Sequence, residues 1–178
     1  MKHPEAQRVF MIIKEHYPES IAKEAAFGKK LPVESSPKER ITWAKHLCET
    51  LSQLAEEDIK AVRMACRCSF KWENIQEAQK IYRTSHSLGV FAAKARQQLG
   101  VKWEATSTSL FVTYTACSCH MVNQDPELLP ITWCYCTMGY NKDFFSEVFG
   151  TSVDVEMLQA IKLGDQVCLI KVTPQISN

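Results

Sequence analysis

Apolar side chains in the first hundred residues repeat at helical spacing. Val9 and Ile13 share one such face, and Pro18 interrupts the pattern. Ser36 with Glu39 three residues later forms a capping box that opens another helix. The helices predicted from this pattern cover about residues 9–17, 19–27, 37–54, 56–64 and 72–99, the last as two helices that meet near residues 85–89. This part of the chain is therefore predicted to be helical.

After Gly100 the periodicity changes from helical to alternating, which is typical of strands. The predicted strands cover residues 101–105, 109–116, 153–158 and 167–172, with residues 130–134 as a short third strand or lead-in segment. One helix, from about residue 141 to 149, precedes the closing hairpin. Because helices come first and strands later, we predict an α+β fold, with N-terminal helices packed on a C-terminal antiparallel sheet with one inserted helix.

The length of 178 residues is typical of one ordinary domain. We predict an N-terminal helical appendage over residues 1–30 and a single cysteine-rich α+β domain over residues 31–178. The chain has 21 Lys and Arg against 20 Asp and Glu, and no segment concentrates like charges. Nucleic acid is therefore not expected as a partner.

The sequence shows neither a signal peptide nor a membrane span. Charged residues follow the apolar stretch 9–13 at once, and no apolar run approaches the roughly 20 residues that span a bilayer. We expect a soluble, cytoplasmic protein without a membrane partner. Its eight cysteines should then be reduced thiols rather than a disulfide framework.

Six of the eight cysteines form pairs with one residue between them. These pairs are Cys66-Arg67-Cys68, Cys117-Ser118-Cys119 and Cys134-Tyr135-Cys136. On a strand this spacing points both sulfurs to one face, where two thiolates can converge on an ion. Zinc takes thiolate and imidazole ligands, and His120 directly follows Cys119. The pairs predict a metal site, with zinc favoured over an iron–sulfur cluster because no ferredoxin spacing occurs.

The alternative is that these cysteines fill the core, since free cysteine is among the most buried residue types. Cys48 lies on the apolar face of a predicted helix, and we interpret it in this way. Burial explains single cysteines well, whereas it does not explain three identical pairs.

Residues 132–172 resemble the C-terminal signature of the 4-vinyl-reductase-type small-molecule-binding domains. The residues that carry the resemblance are Cys134 or Cys136, Gly139, Tyr140, Gly150, Glu156, Gly164 and Cys168. The segment GDQVCLIKV, residues 164–172, is also similar to the ending of the 2-aminothiazoline-4-carboxylate hydrolase-like bacterial proteins. The paired cysteines point to the cysteine-rich relatives of this second group.

The first resemblance implies a zinc ion beside a ligand pocket, held by cysteines and a strand glutamate. It assigns Cys134 or Cys136, Glu156 and Cys168 as ligands, and residues 159–161 stand where the family has another cysteine. The remaining ligand would come from a paired cysteine. The candidates for it are Cys66, Cys68, Cys117 and Cys119.

The resemblance implies a sensor-like domain that binds a small molecule, with the metal fixing the pocket walls. We expect aromatic side chains, among them Trp103, Tyr114 and Tyr140, to line this pocket. The same fold in other proteins pairs through helices, so a homodimer is a further expectation. The side chains offered by the first helix are Phe10, Ile13 and Tyr17.

The competing hypothesis, implied by the second resemblance, is a hydrolase acting on a small cyclic amide or amidine. Such an enzyme needs an activated thiolate with a nearby imidazole, or a metal-bound water. Cys119 and His120 are the adjacent pair, and His86, in the break between the two long helices, is an alternative base.

Overall fold

The computed structural model of the chain describes residues 2–175. Within this range the helices are α1 (Pro4–His16), α2 (Glu19–Phe27), α3 (Pro37–Leu51), α4 (Glu56–Ala65), α5 (Trp72–Arg83), α6 (Leu88–Leu99) and α7 (Ile131–Phe149). All six helices predicted before Gly100 are confirmed, with ends that differ by a few residues. The break between α5 and α6 falls where the sequence places it.

The four strands within the described range form one antiparallel sheet. They are β1 (Lys102–Ala105), β2 (Leu110–Tyr114), β3 (Val153–Gln159) and β4 (Cys168–Pro174), in the order β1-β2-β4-β3. A single 3-10 turn, Ile161–Leu163, lies between β3 and β4. The fold is α+β, as predicted, with α7 inserted between the two hairpins.

Local chemistry explains where the helices begin and end. The Ser36 side chain accepts a hydrogen bond from the Glu39 amide, and the Glu39 carboxylate accepts one from the Ser36 amide, so the predicted capping box is confirmed. At the other end of the helical region, Gly100 has a φ of +68°, a left-handed conformation that glycine adopts without strain and that ends α6.

Residues 131–134, predicted as a strand or lead-in segment, are instead the first turn of α7. The prediction was wrong because a short apolar run cannot be assigned to strand or helix by periodicity alone. The Trp133 amide donates to the Pro130 carbonyl at 3.0 Å and closes the first turn. Cys134 and Cys136 therefore lie on a helix, which changes the geometry of this pair.

The chain divides into two compact units, each built from separate segments. Unit 1 comprises residues 1–67, 117–136 and 162–164, and unit 2 comprises residues 68–116, 137–161 and 165–178. Helices α1 and α2 belong to the same unit as α3 and α4. The appendage over residues 1–30 stays a prediction.

Unit 2 contains the sheet and an aromatic core. The Phe91 ring lies 5.6 Å from the Trp103 ring and 5.7 Å from the Phe149 ring, and the Trp103 ring lies 5.1 Å from that of Phe145. Ile170 on β4 is fully buried in the same cluster. Apolar area removed from water stabilises this unit.

Unit 1 is helical and buries charge as well as apolar side chains. Arg63 and Lys162 are buried, with exposed fractions of 1% and 4%. The Lys162 ammonium donates to the carbonyl oxygens of Asp125 and Glu127, the latter at 3.2 Å. These bonds hold the segment that leads to α7.

None of the helices within residues 2–175 combines the length and apolar composition needed to cross a membrane.

Candidate functional site

The cysteines are unequally divided between the units, and within residues 2–175 no two of them form a disulfide. The unit 1 cysteines are Cys48, Cys66, Cys117, Cys119, Cys134 and Cys136. Unit 2 contains Cys68 and Cys168. Unit 1 is therefore where a thiol-based site can be assembled from several elements.

Cys134 and Cys136 do not present both sulfurs to one side. On a helix, residues two apart differ in direction by about 200°, whereas on a strand they would share a face. The Cys136 thiol donates to the carbonyl of Trp133 at 3.3 Å, and both cysteines are buried. The convergence expected for this pair is thus wrong, because the predicted strand is a helix.

Arg63, on α4, is the central polar group of unit 1. Its Nη2 donates to the Trp133 carbonyl at 3.0 Å and its Nε donates to the Thr132 carbonyl at 3.3 Å. Its Cζ lies 4.8 Å from the centre of the Trp133 ring, a cation–π contact. The Trp133 carbonyl thus accepts from both Arg63 and Cys136, so the guanidinium and this thiol share an acceptor.

Thiols surround the Arg63 charge. Burial alone would lower the pKa of Arg63, but its interactions with Cys136, Cys66 and Cys48 act in the opposite direction and the pKa is raised. The guanidinium therefore stays protonated. Burial raises the pKa of the Cys48 thiol to about 11 and also raises that of Cys66, although the positive charge of Arg63 opposes both shifts.

Cys119 joins this group from the loop that follows β2. Burial raises the pKa of its thiol to about 12, and the interaction with Cys136 adds to the shift. Hydrogen bonding by the Met121 amide and the Trp133 indole N–H opposes it. The Cys119 carbonyl accepts from the amides of Val122 and Asn123 in the following turn. Cys119 is half-buried, so this loop is the part of the group that solvent reaches.

We call Cys48, Cys66, Cys119 and Cys136 the thiol cluster. Its common member is Cys136, which interacts electrostatically with the other three and with Arg63. Cys117 interacts with Cys119 at its edge. Cys48, interpreted as core from the sequence, is buried at 3% exposure, and it also faces the Arg63 charge.

The described residues do not form a complete metal-ligand set. Within residues 2–175, no three Cys, His, Asp or Glu side chains are placed so that they could hold one ion. A structural zinc site takes four such ligands. As they are placed, the predicted ligands do not fit zinc or an iron–sulfur cluster, and both cofactors stay predictions.

Three predicted metal ligands lie in unit 2. Cys68 is exposed. Cys168 begins β4, and its sulfur accepts from the Ile161 amide at 3.5 Å. Glu156 on β3 lies opposite Lys171 on β4, with 3.7 Å between the carboxylate and the ammonium. Glu156 is therefore one partner of a cross-strand ion pair on the sheet.

The aromatic residues predicted to line a ligand pocket also lie in unit 2. Trp103 packs among the rings of the core, with an exposed fraction of 7%. The Tyr114 hydroxyl donates to Asn141 Oδ1 at 3.0 Å. Tyr140 stacks on Phe144 at 6.0 Å between ring centres. All three have structural contacts, and their role in ligand binding stays a prediction.

The hydrolase candidates lack the expected activation. A nucleophilic cysteine needs a lowered pKa, whereas burial raises that of Cys119. His120 is exposed on the turn after Cys119. His86 lies in the break between α5 and α6, in unit 2. No specific contact favours the hydrolase hypothesis, which stays a prediction.

The model of a family of unknown function, DUF6144, matches residues 1–178. The chain belongs to the DUF6144 family. No curated protein matches the chain. The resemblances to 4-vinyl-reductase-type domains and to the hydrolase-like proteins therefore stay predictions for this DUF6144 chain.

Sequence reasoning missed Arg63, which the paired cysteines do not indicate. A helical-face count could have found it, because Arg63 follows Ile59 at i+4 on α4 and Cys66, the residue that caps the helix, follows at i+7. An arginine on the apolar face of an amphipathic helix is unusual, since arginine is almost never fully buried unless it is paired. The place of Arg63 on the apolar face of α4 was therefore the sequence feature that could have pointed to this site in the DUF6144 chain.

Proposed function

We propose that this protein is a sensor-like protein that binds a small molecule, and that the ligand is a soft, thiol-seeking compound held at the thiol cluster of unit 1. The observation that carries the proposal is the position of Cys136, whose thiol donates to the same Trp133 carbonyl as the buried Arg63 guanidinium, at 3.3 and 3.0 Å. Cys136 also contributes to the raised pKa values of the thiols of Cys48, Cys66 and Cys119. A core that needed only small apolar side chains would gain nothing from a charge among them.

A thiol-seeking ligand requires fewer protein groups than a zinc ion. One or two sulfurs suffice, so the proposal agrees with the lack of a three-ligand group within residues 2–175. Cys119 and Cys136 are the pair that fits best, because Cys119 is half-buried and Cys136 lies deeper. A ligand would reach Cys136 through the loop that carries Cys119.

Phenylarsine oxide tests this pair, because its arsenic binds two thiols and releases one water. We expect the reduced full-length protein to bind one equivalent, bridging Cys119 and Cys136, as peptide mass mapping would show. Cys136→Ser should lose this adduct. The matched control is Cys68→Ser, which removes an exposed thiol of unit 2 and should leave the adduct unchanged. An adduct of equal yield in Cys136→Ser would contradict the proposal.

Elemental analysis and acid-labile sulfide of the protein, purified under reducing and chelator-free conditions, test the cofactor predictions. If the wild type contains one equivalent of zinc and Cys136→Ser loses it, the soft ligand is a metal ion. Zinc lost equally in Cys68→Ser would favour the ligand set that the resemblance implies, and iron with sulfide would indicate a cluster.

A cytoplasmic location belongs to the proposal, because a reducing compartment keeps the thiols available for a ligand.

The first helix gives little support to the predicted homodimer. Ile13 is fully buried, and the Phe10 ring lies 5.2 Å from the Phe27 ring within unit 1. Elution from a sizing column at two protein concentrations would test for a dimer.

A further inference from the structure

A cavity lies between the end of α1 and the first turns of α4. Its volume is about 420 Å³, and the residues that line it are His16, Tyr17, Asp58, Ala61 and Val62. All five belong to unit 1, and the cavity opens to solvent, since His16, Asp58 and Ala61 are exposed. Small-molecule sites in proteins typically have volumes of roughly 300–1,000 Å³. This cavity is therefore large enough for a small ligand.

The polar wall of the cavity has two sources of negative charge. Asp58 lies in the first turn of α4, where the helix dipole favours a carboxylate. His16 is the last residue of α1 and Tyr17 caps that helix, so α1 ends at the cavity. The last carbonyl groups of a helix have no partner within the helix and carry a partial negative charge. This wall therefore favours a cation.

Tyr17 holds the Asp58 carboxylate. Burial raises the pKa of Tyr17, and a hydrogen bond to Asp58 and the negative charge of Asp58 act in the same direction. The hydroxyl therefore stays protonated and donates to the carboxylate. Among the ion pairs within residues 2–175, none involves Asp58. The carboxylate is thus positioned by a neutral group, and its charge is available to a bound cation.

The remaining wall is aliphatic. Val62 is buried, with an exposed fraction of 3%, and Ala61 lies beside it at the surface. Neither side chain offers oxygen ligands, which hard metal cations such as Mg²⁺ require. A cation with a hydrocarbon chain would instead remove apolar surface from water against these two side chains. One carboxylate beside an aliphatic wall matches a molecule with one ammonium group and a short chain.

We infer that the cavity between α1 and α4 binds a small organic ammonium ion, a primary amine on a short aliphatic chain. The ammonium group donates to Asp58 and lies against the Tyr17 ring, whose face attracts a cation. The chain packs on Ala61 and Val62. This is a second ligand site, because none of the thiol-cluster residues lines the cavity.

Titration of the reduced full-length protein with n-butylammonium chloride tests the site, with saturation-transfer NMR of the ligand as the readout. At about pH 8 the ammonium is charged, as lysine is, whereas histidine is ordinarily neutral. We expect saturable binding, with a Kd about tenfold lower than that of the uncharged n-butanol. Methylammonium, which lacks the chain, should also bind about tenfold more weakly. Equal binding of n-butanol and n-butylammonium would overturn the inference.

Two acidic residues in the same turn of α4 make a matched pair. Asp58→Asn removes the carboxylate that lines the cavity and should raise the Kd for n-butylammonium about tenfold. Glu57→Gln removes an exposed carboxylate that does not line it, and should change the Kd less than about twofold, because salt screens such a charge. Equal effects in the two variants would indicate general attraction to an acidic turn and refute the site.

Ala61→Leu places a larger side chain in the cavity and should abolish binding. Because Ala61 is exposed, this variant should keep the melting temperature of the wild type. A folded Ala61→Leu protein that binds n-butylammonium with unchanged Kd would contradict the inference. The phenylarsine oxide adduct, measured on the same wild-type protein, separates this result from the proposed function. An adduct that forms without ammonium binding refutes the cavity site and leaves the thiol cluster supported.

Discussion

The interiors of the two units bury different chemistry. In unit 2 the largest buried side chains are rings, such as Phe91 and Phe145. Both of these rings pack against Phe149, so that they belong to one continuous aromatic cluster. In unit 1 the interior includes Arg63, Lys162 and most of the cysteines. Both interiors gain free energy from apolar burial, but unit 1 also has to offset the desolvation of charges.

This difference points to unit 1 as the location of the functional site. Among the described residues of unit 2, no buried side-chain nitrogen or oxygen lacks a hydrogen-bond partner, and the Tyr114 hydroxyl, for example, donates to Asn141. Unit 1 retains a buried cation whose remaining donor is unmatched among the described residues. Sequences retain such costly groups mainly at functional sites.

The largest stability effect is expected in the core of unit 2. Phe91→Ala should lower the free energy of unfolding by about 3–5 kcal/mol, because it removes a fully buried ring and leaves a cavity. Guanidinium chloride unfolding measures the change. Leu158→Ala, at a side chain that is 41% exposed, is the control and should have a much smaller effect. A similar loss in both variants would contradict the attribution of the stability of unit 2 to its buried aromatic core.

A smaller loss is expected from a buried charge in unit 1. Lys162→Met keeps the aliphatic length but leaves the Asp125 and Glu127 carbonyls without their donor, which should cost about 2 kcal/mol. Lys142→Met, at an exposed lysine of unit 2, is the control. If Lys162→Met proved more damaging than Phe91→Ala, buried charge rather than aromatic packing would dominate stability.

At the surface of unit 1, the capping box of α3 should contribute less still. Ser36→Ala removes the acceptor of the Glu39 amide and should cost about 1 kcal/mol. Ser36→Asp retains an acceptor and should recover most of the loss. Thermal unfolding of both variants checks the assignment, and equal melting temperatures for the two would argue against the cap.

The smallest effect is expected at Glu127, and it depends on pH. Hydrogen bonds from Lys45 at 2.6 Å and Lys38 at 2.9 Å lower the pKa of this carboxyl from 4.5 to about 2. A lowered folded-state pKa contributes stability above pH 4.5 that is lost as the pH falls toward 2. The difference in melting temperature between wild type and Glu127→Gln should therefore shrink across this range. A difference that stays constant across it would contradict this assignment.

The helices and the hairpins could be predicted because local signals agreed with the tertiary structure. The Ser36 cap, the helix end at Gly100 and the alternation in β2 each act within a few residues, and each is confirmed. The start of α7 was missed because the run around Cys134 has no unambiguous period.

The candidate site was less predictable than the fold. The cysteine pairs drew attention to residues 117–119 and 134–136, and unit 1 includes both segments. Their interaction with Arg63 joins α4 to a helix about 70 residues later in the chain, and no local pattern encodes such a contact. Only the unusual place of an arginine on an apolar helix face pointed toward it.

The discontinuous make-up of unit 1 has a consequence for how the protein can be dissected. Because residues 1–67, 117–136 and 162–164 build this unit together, no single cut of the chain releases either unit whole. A truncation series would therefore expose the interiors of both. During folding, Arg63 can meet Trp133 only after the intervening residues have been made and brought back, so the last contacts of unit 1 carry a large loop-closure entropy. Point substitutions in the intact chain are the way to probe it.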